Sequence, residues 1–199
     1  MKKLLLSILA MLFALVSLAL AETTSFAIGN TGLSILVPQS FILDEPENEI
    51  RFMAADADDL NYAMVHIDYN HYTFEMLEEL ALKEDRDEQF LQAQTFLLRA
   101  LDGDMSRYIG YHSFELLGRD IFCEIDQEYD PDCNGSPFLS LGVSLFLQDT
   151  EQSYWVTYVE SLISEDVDNH LSRMQAAEDL ISYINASAEE LARQIMIEN

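Results

Sequence analysis

Between Asp126 and Gly135 the chain reads Asp-Gln-Glu-Tyr-Asp-Pro-Asp-Cys-Asn-Gly. Within it Asp130, Asp132 and Asn134 set side-chain oxygens at alternate positions and Gly135 permits a sharp turn, the opening of a loop that wraps a hard cation such as calcium. The twelfth position counted from Asp130 is Leu141 rather than a closing acid, so an EF-hand is excluded. Two readings stay open: a looser calcium site that recruits Asp126, Glu128 or an acid from another loop, and a solvated acidic hairpin tip. His66, Asp68 and His71 are close enough in sequence for zinc, and equally fit an ordinary strand end. Cys123 and Cys133 are the only cysteines. They make one internal disulfide or two free thiols: Cys123 alternates with Ile121 and Ile125 as on an apolar strand face, Cys133 falls in a polar segment, and a straight hairpin would hold them beyond the ~7 Å Cα limit.

Other chemistry finds less support. There is no Gly-x-Ser-x-Gly and no glycine-rich phosphate loop, and Ser136 after Asn134-Gly135 reads as turn chemistry. With 36 acids in the chain, the proximity of two carboxylates carries no information about glycosidase chemistry. Tyr108, Tyr111, Tyr154, Trp155 and Tyr158 are groove-lining candidates, or core and sheet-face residues.

These residues are carried by alternating and helical patterns. Thr24–Ile28 and Leu33–Val37, joined by Gly29-Asn30-Thr31-Gly32, predict a hairpin that Pro38 ends. Strands follow around Ile50–Ala54 and Ala63–Tyr69. From Phe74 to Leu101 the period becomes helical, as one kinked helix or two, with Leu77, Leu80 and Ala81, then Phe90, Ala93, Leu97, Leu98 and Leu101, on the apolar side. Asp85 with Glu88 suggests a capping box in between. A four-strand meander occupies Arg107–Leu117, Asp120–Asp126, Phe138–Gln148 and Ser153–Ser161. Its clearest member alternates Leu139, Leu141, Val143, Leu145 and Leu147 with small residues, the mark of a sheet covered on one side. A last helix from Ser164 carries Val167, Leu171, Met174, Ala177, Ile181 and Ile184. Beyond Asn185, Ser187 and Glu190 cap a short amphipathic end.

The 199 residues, 49% apolar and 11% aromatic, describe a folded chain of one domain. Met1-Lys2-Lys3, the apolar run Leu4–Leu20 and the small residues Ala19 and Ala21 predict a secretory signal over 1–21, cleaved after Ala21. Such a protein works outside the cytoplasm, secreted or periplasmic. Ten Lys and Arg against 36 Asp and Glu give a net charge of −26, and losing Lys2 and Lys3 with the leader takes it to −28. A polyanion of this density excludes general nucleic-acid binding and docking on anionic membranes, while it favours cations and basic protein partners.

The order hairpin, Pro, two strands, helix, meander, helix resembles the PsbP-like α/β/α sandwich family. The local words are Gly32-x-x-Ile35-x-x-Pro38-x-x-Phe41, Gly118 before Arg119-Asp120, the strand Tyr154–Val159 and the closing Ile181-Ser182-Tyr183-Ile184. The resemblance implies an α+β domain over 22–185, with an antiparallel sheet of about six to eight strands and helices packed on it; residues 186–199 are then an amphipathic extension. It also implies an exported, non-enzymatic binding or accessory protein without a cofactor. The competing readings are a calcium-dependent module using Asp130–Gly135 and an extracytoplasmic enzyme.

Overall fold

In the computed structural model, residues 22–45, 49–55, 61–68, 73–83, 86–163 and 165–199 are described. Residues 1–21, Tyr69, His71, Asp85 and Ser164, on which some of the readings above rest, lie outside them.

The hairpin forms as expected, from β1 (Thr23–Ala27) and β2 (Leu33–Pro38). Every other strand from β3 (Phe41–Asp44) to β9 joins one antiparallel sheet of seven, in the order β3-β4-β5-β9-β8-β7-β6. The remaining members are β4 (Glu49–Ala54), β5 (Tyr62–Asp68), β6 (Ser106–Leu116), β7 (Arg119–Cys133), β8 (Ser136–Gln148) and β9 (Ser153–Ile163). The apolar-faced β9 is central, flanked by β5 and β8. The architecture is α+β.

Alternation along the strands creates two layers of side chains. Ile121, Cys123 and Ile125 of β7 enter the main core, with Leu139, Val143, Leu145 and Leu147 of β8. That face is covered by three helices: α2 (Arg86–Leu101), α3 (Glu165–Gln175) and α4 (Leu180–Ile195). Phe122 of β7 and Phe146 of β8 point the other way and are buried with Leu77 of α1 (Phe74–Lys83). Helices on both faces make the sandwich that the sequence led us to expect.

Three elements depart from the sequence reading. The last helical stripe is two helices, α3 and α4. Asp179 ends the break between them, its carboxylate accepting from the Ser182 N–H at 3.1 Å as the N-cap of α4. Helix α4 then runs without interruption past Asn185, and Ser187 spends its hydroxyl on the Tyr183 carbonyl inside the helix instead of capping a new one. The chain finishes as β10 (Met196–Glu198), which pairs antiparallel with β2. Asn199 adds bonds to Leu33, Ser34 and Gly32. Phe41–Asp44, to which the sequence pattern assigns no element, is the short edge strand β3.

A knot of polar bonds ties the small sheet to the large one. The Asp149 carboxylate, in the turn between β8 and β9, accepts from the N–H groups of Asn30 (3.1 Å), Glu151 (2.8 Å) and Gln152 (2.9 Å) and from the Tyr154 hydroxyl (2.9 Å). These donors hold its pKa down to about 2, led by the Glu151 N–H. Above the Tyr154 ring the backbone turns through Gly29 at φ +46°, where only a hydrogen fits.

Candidate functional site: the outer face of α2

The Asp126–Gly135 segment is not a wrapping loop. β7 continues through Asp130 to Cys133, a register shift absorbs Pro131, and the turn is reduced to Asn134 (φ +53°) and Gly135 (φ +86°). Asp130 stands opposite Phe138, and its carboxylate is engaged by the Asp132 N–H at 2.9 Å. Asp130, Asp132 and Asn134 are therefore strung along a strand end. Among the described residues no group of three or more His, Cys, Asp or Glu comes together in a way that could hold a metal. His66 and Asp68 lie on β5, while His71 is outside the described residues.

The same continuation separates the cysteines. Ten positions along one strand put Cys123 and Cys133 about 30 Å apart at ~3.3 Å per residue, and both are free thiols. No disulfide joins them. Burial pushes the Cys123 thiol well above the ordinary range, whereas Cys133 is only half-buried. We expect Cys133 alone to react with an aqueous thiol reagent in the native protein, Cys123 to react only on unfolding, and reductant to leave Tm unchanged. Mass analysis of alkylated protein before and after denaturation reads this directly.

The aromatic candidates are structural. Tyr108, Tyr154 and Tyr158 are buried in the main core, and Tyr111 and Trp155 pack with Phe122 and Phe146 in the layer under α1.

The surface that calls for a partner is the outside of α2. This helix faces the core with Gln89, Ala93, Phe96, Leu97 and Ala100. The adjoining arc is apolar too: Phe90 (41% exposed), Leu91 (59%), Leu98 (55%) and Leu101 (42%), extended by Met105 (56%). At 100° per residue these four helix positions span about a quarter turn. Carboxylates fringe both ends, Asp87 and Glu88 in the first turn and Asp102 and Asp104 just past the last. The first pair suits the positive end of the helix dipole; Asp102 and Asp104 sit at the negative end, where the helix itself disfavours them. Arg99, exposed in the last turn of α2, is the arginine nearest these carboxylates, and most others are engaged elsewhere. Arg51, Arg86, Arg107 and Arg193 are paired with Glu49, Asp179, Asp126 and Glu189, and Arg119 is bound to the Thr31 carbonyl. Beside the stripe, an open groove of about 290 Å³ is lined by Leu91, Thr95, Phe96 and Arg99 of α2 and by Ser106 and Arg107 of β6.

No family model matches the chain, and no curated protein matches it. Among solved structures it is similar to the Ran-binding protein Mog1p of Saccharomyces cerevisiae, at 11% identity and a TM-score of 0.42, over 89% of this chain and 96% of that one. It is also similar to PsbP (CyanoP) of the cyanobacterium Synechocystis sp. PCC 6803, at 13% identity and a TM-score of 0.41, over 90% and 94%. A PsbP is thus among its structural neighbours.

The α2 face was missed from sequence for a definable reason. Phe90, Leu98 and Leu101 were assigned to the core with Ala93 and Leu97, although one face cannot hold them all. In the structure Ala93, Phe96, Leu97 and Ala100 face the core, and Phe90, Leu98 and Leu101 turn outward. An apolar arc too wide for one face, with a polar Gln89 on the buried side, was the available signal.

Proposed function

We propose that the chain is an exported binding or accessory protein without catalysis of its own, and that it holds a cationic amphipathic segment of another protein along the outer face of α2. The observation that carries this reading is the exposed stripe Phe90, Leu91, Leu98 and Leu101 with carboxylates at both ends. The two exposed apolar pairs, Phe90–Leu91 and Leu98–Leu101, are separated by Gln94 and Thr95; exposed apolar side chains rimmed by charge suit an interaction site, and the rim fixes the sign of the partner. The leader Met1–Ala21 supports export.

The test uses residues 22–199 and a fluorescent helical peptide of leucine and lysine, with a leucine and glutamate peptide as control. The lysine peptide is expected to bind and the glutamate peptide to be ignored. Leu91→Glu/Leu98→Glu should weaken binding at least ~10-fold with little change in Tm, because both side chains are exposed. Attraction by net charge alone gives the opposite sign, since two added carboxylates would tighten it. Unchanged or tighter binding by that variant, or no binding by the parent, sinks the proposal.

A further inference from the structure

The seven-stranded sheet has two edges, β3 and β6, and they are not alike. β3 has 4 residues, the short edge by which sheets discourage strand addition. β6 has 11, and its register with β7 runs from Ser106↔Tyr129 to Leu116↔Arg119 without a shift. It carries no proline or lysine, and no bulge turns it away. Among the described residues its outer side has no strand partner. A flat edge of that length is a template for another strand.

The sequence of β6, Ser-Arg-Tyr-Ile-Gly-Tyr-His-Ser-Phe-Glu-Leu, is complementary to itself. Laid antiparallel on a copy of itself about Tyr111, it sets Arg107 of each copy opposite Glu115 of the other. The same register places Tyr108 against Phe114 and leaves Gly110 facing His112, so no like charges meet. Sliding by two positions in either direction loses both Arg–Glu pairs. Arg107 and Glu115 are exposed, and both stand on the face of β6 that Tyr111 shares. The guanidinium is already oriented. Its Nε and Nη2 donate to the two Asp126 oxygens of β7 at 2.9 and 2.6 Å, which leaves the Nη1 N–H groups for a second carboxylate. A closed two-fold interface needs this kind of self-complementary patch.

We infer that β6 is the seam of a two-fold dimer of this chain, formed by antiparallel pairing with the same strand of a second copy in the register centred on Tyr111. The large negative charge does not forbid it. At physiological ionic strength the screening length is ~8 Å; Asp120, Glu124, Asp126 and Glu128 of β7 stand one strand in from the seam, Asp126 is paired with Arg107, and added salt should therefore favour the dimer.

Sedimentation velocity of residues 22–199 between about 1 and about 100 µM, where modest interfaces form, should show a reversible monomer–dimer equilibrium. Glu115→Lys places Lys opposite Arg107 in both pairs and should raise the dissociation constant at least ~10-fold. A second variant fixes the register: Tyr111→Cys in a Cys133→Ser background meets its own symmetry mate and should form an intermolecular disulfide under mild oxidation, whereas Ser113→Cys in that background should not. A chain that stays monomeric throughout overturns the inference. So does a dimer that Glu115→Lys leaves intact and position 111 fails to trap.

Discussion

Gly29→Ala is expected to cost the fold about 3 kcal/mol or more, the effect of forcing a side chain into a filled core. The added Cβ would stand 1.8 Å from the Tyr154 hydroxyl oxygen and 2.3 Å from the ring carbon that bears it, at a backbone φ of +46°. Tyr154 cannot swing aside, because it is buried and its hydroxyl is held by Asp149. Either the ring leaves the core or the turn leaves β2. Chemical denaturation of the single and double variants separates these. Tyr154→Phe removes the atom closest to the new Cβ, so Gly29→Ala should cost less in that background than alone, and additive effects would mean the two positions are not coupled. The knot also sets an acid limit. A carboxyl whose native pKa is about 2, against an ordinary 3.8, stabilises the fold fully above pH 4 and loses that contribution as pH falls towards 2. Asp149→Asn keeps the shape, forfeits the contribution at neutral pH, and should show a flatter acid limb than the parent over that interval.

His170→Leu should make the protein more resistant to mild acid than its parent. His170 lies on α3, 5% exposed, with its ring 6.0 Å from that of Tyr183, and its Nε2 has no hydrogen-bond partner among the described residues. Burial, with Arg173 adding to it, lowers its pKa from 6.5 to about 4. Between those values the unfolded chain takes up a proton that the native state refuses, so stability falls as pH drops from 6.5 towards 4 and is unaffected by this residue above 6.5. From the shift, the loss between neutral pH and pH 5 is ~2 kcal/mol. The neutral leucine of similar bulk removes both that slope and an unsatisfied buried nitrogen. Guanidinium unfolding at both pH values checks it: the stability difference, variant minus parent, should grow by ~2 kcal/mol on going to pH 5. An unchanged difference would mean that His170 titrates normally. The many surface carboxylates are common to both proteins and cancel in the comparison.

Where one face of an element is covered and the other open, the sequence was legible. β8 is the clearest case, its aliphatic face from Leu139 to Leu147 fixing strand, register parity and core side together. β7 shows the converse. Beyond Asp126 its outward residues Glu128 and Asp130 are acidic and Pro131 interrupts it, so it read as loop; Tyr129 in the core and the pairing to β8 keep it extended. The calcium reading took that segment as a loop, whereas the disulfide reading rested on two cysteines at short spacing, which the continuous strand holds apart. The break between α3 and α4 was hidden because Met174, Ala177 and Ile181 keep helical spacing across it, although Asp179 before Ser182 carried the cap signal. The Asp149 knot was beyond reach, since its donors at Asn30 and Tyr154 meet only once two sheets have formed. For the same reason the long edge of β6 became visible only with the strand order.

The pairing of β10 with β2 has a consequence for the order of events in folding. Ile35 and Met196 face each other, and Ser34 bonds Asn199 across 165 positions of sequence. As the chain emerges with its N-terminus first, β1 and β2 can form their hairpin at once, yet β2 keeps one side unsatisfied until residues 196–199 arrive. The contacts that complete the small sheet are thus those of highest contact order, closed against the largest loop entropy. The early hairpin must wait for residues 196–199, and for that interval its open side is a segment in need of protection from other strands.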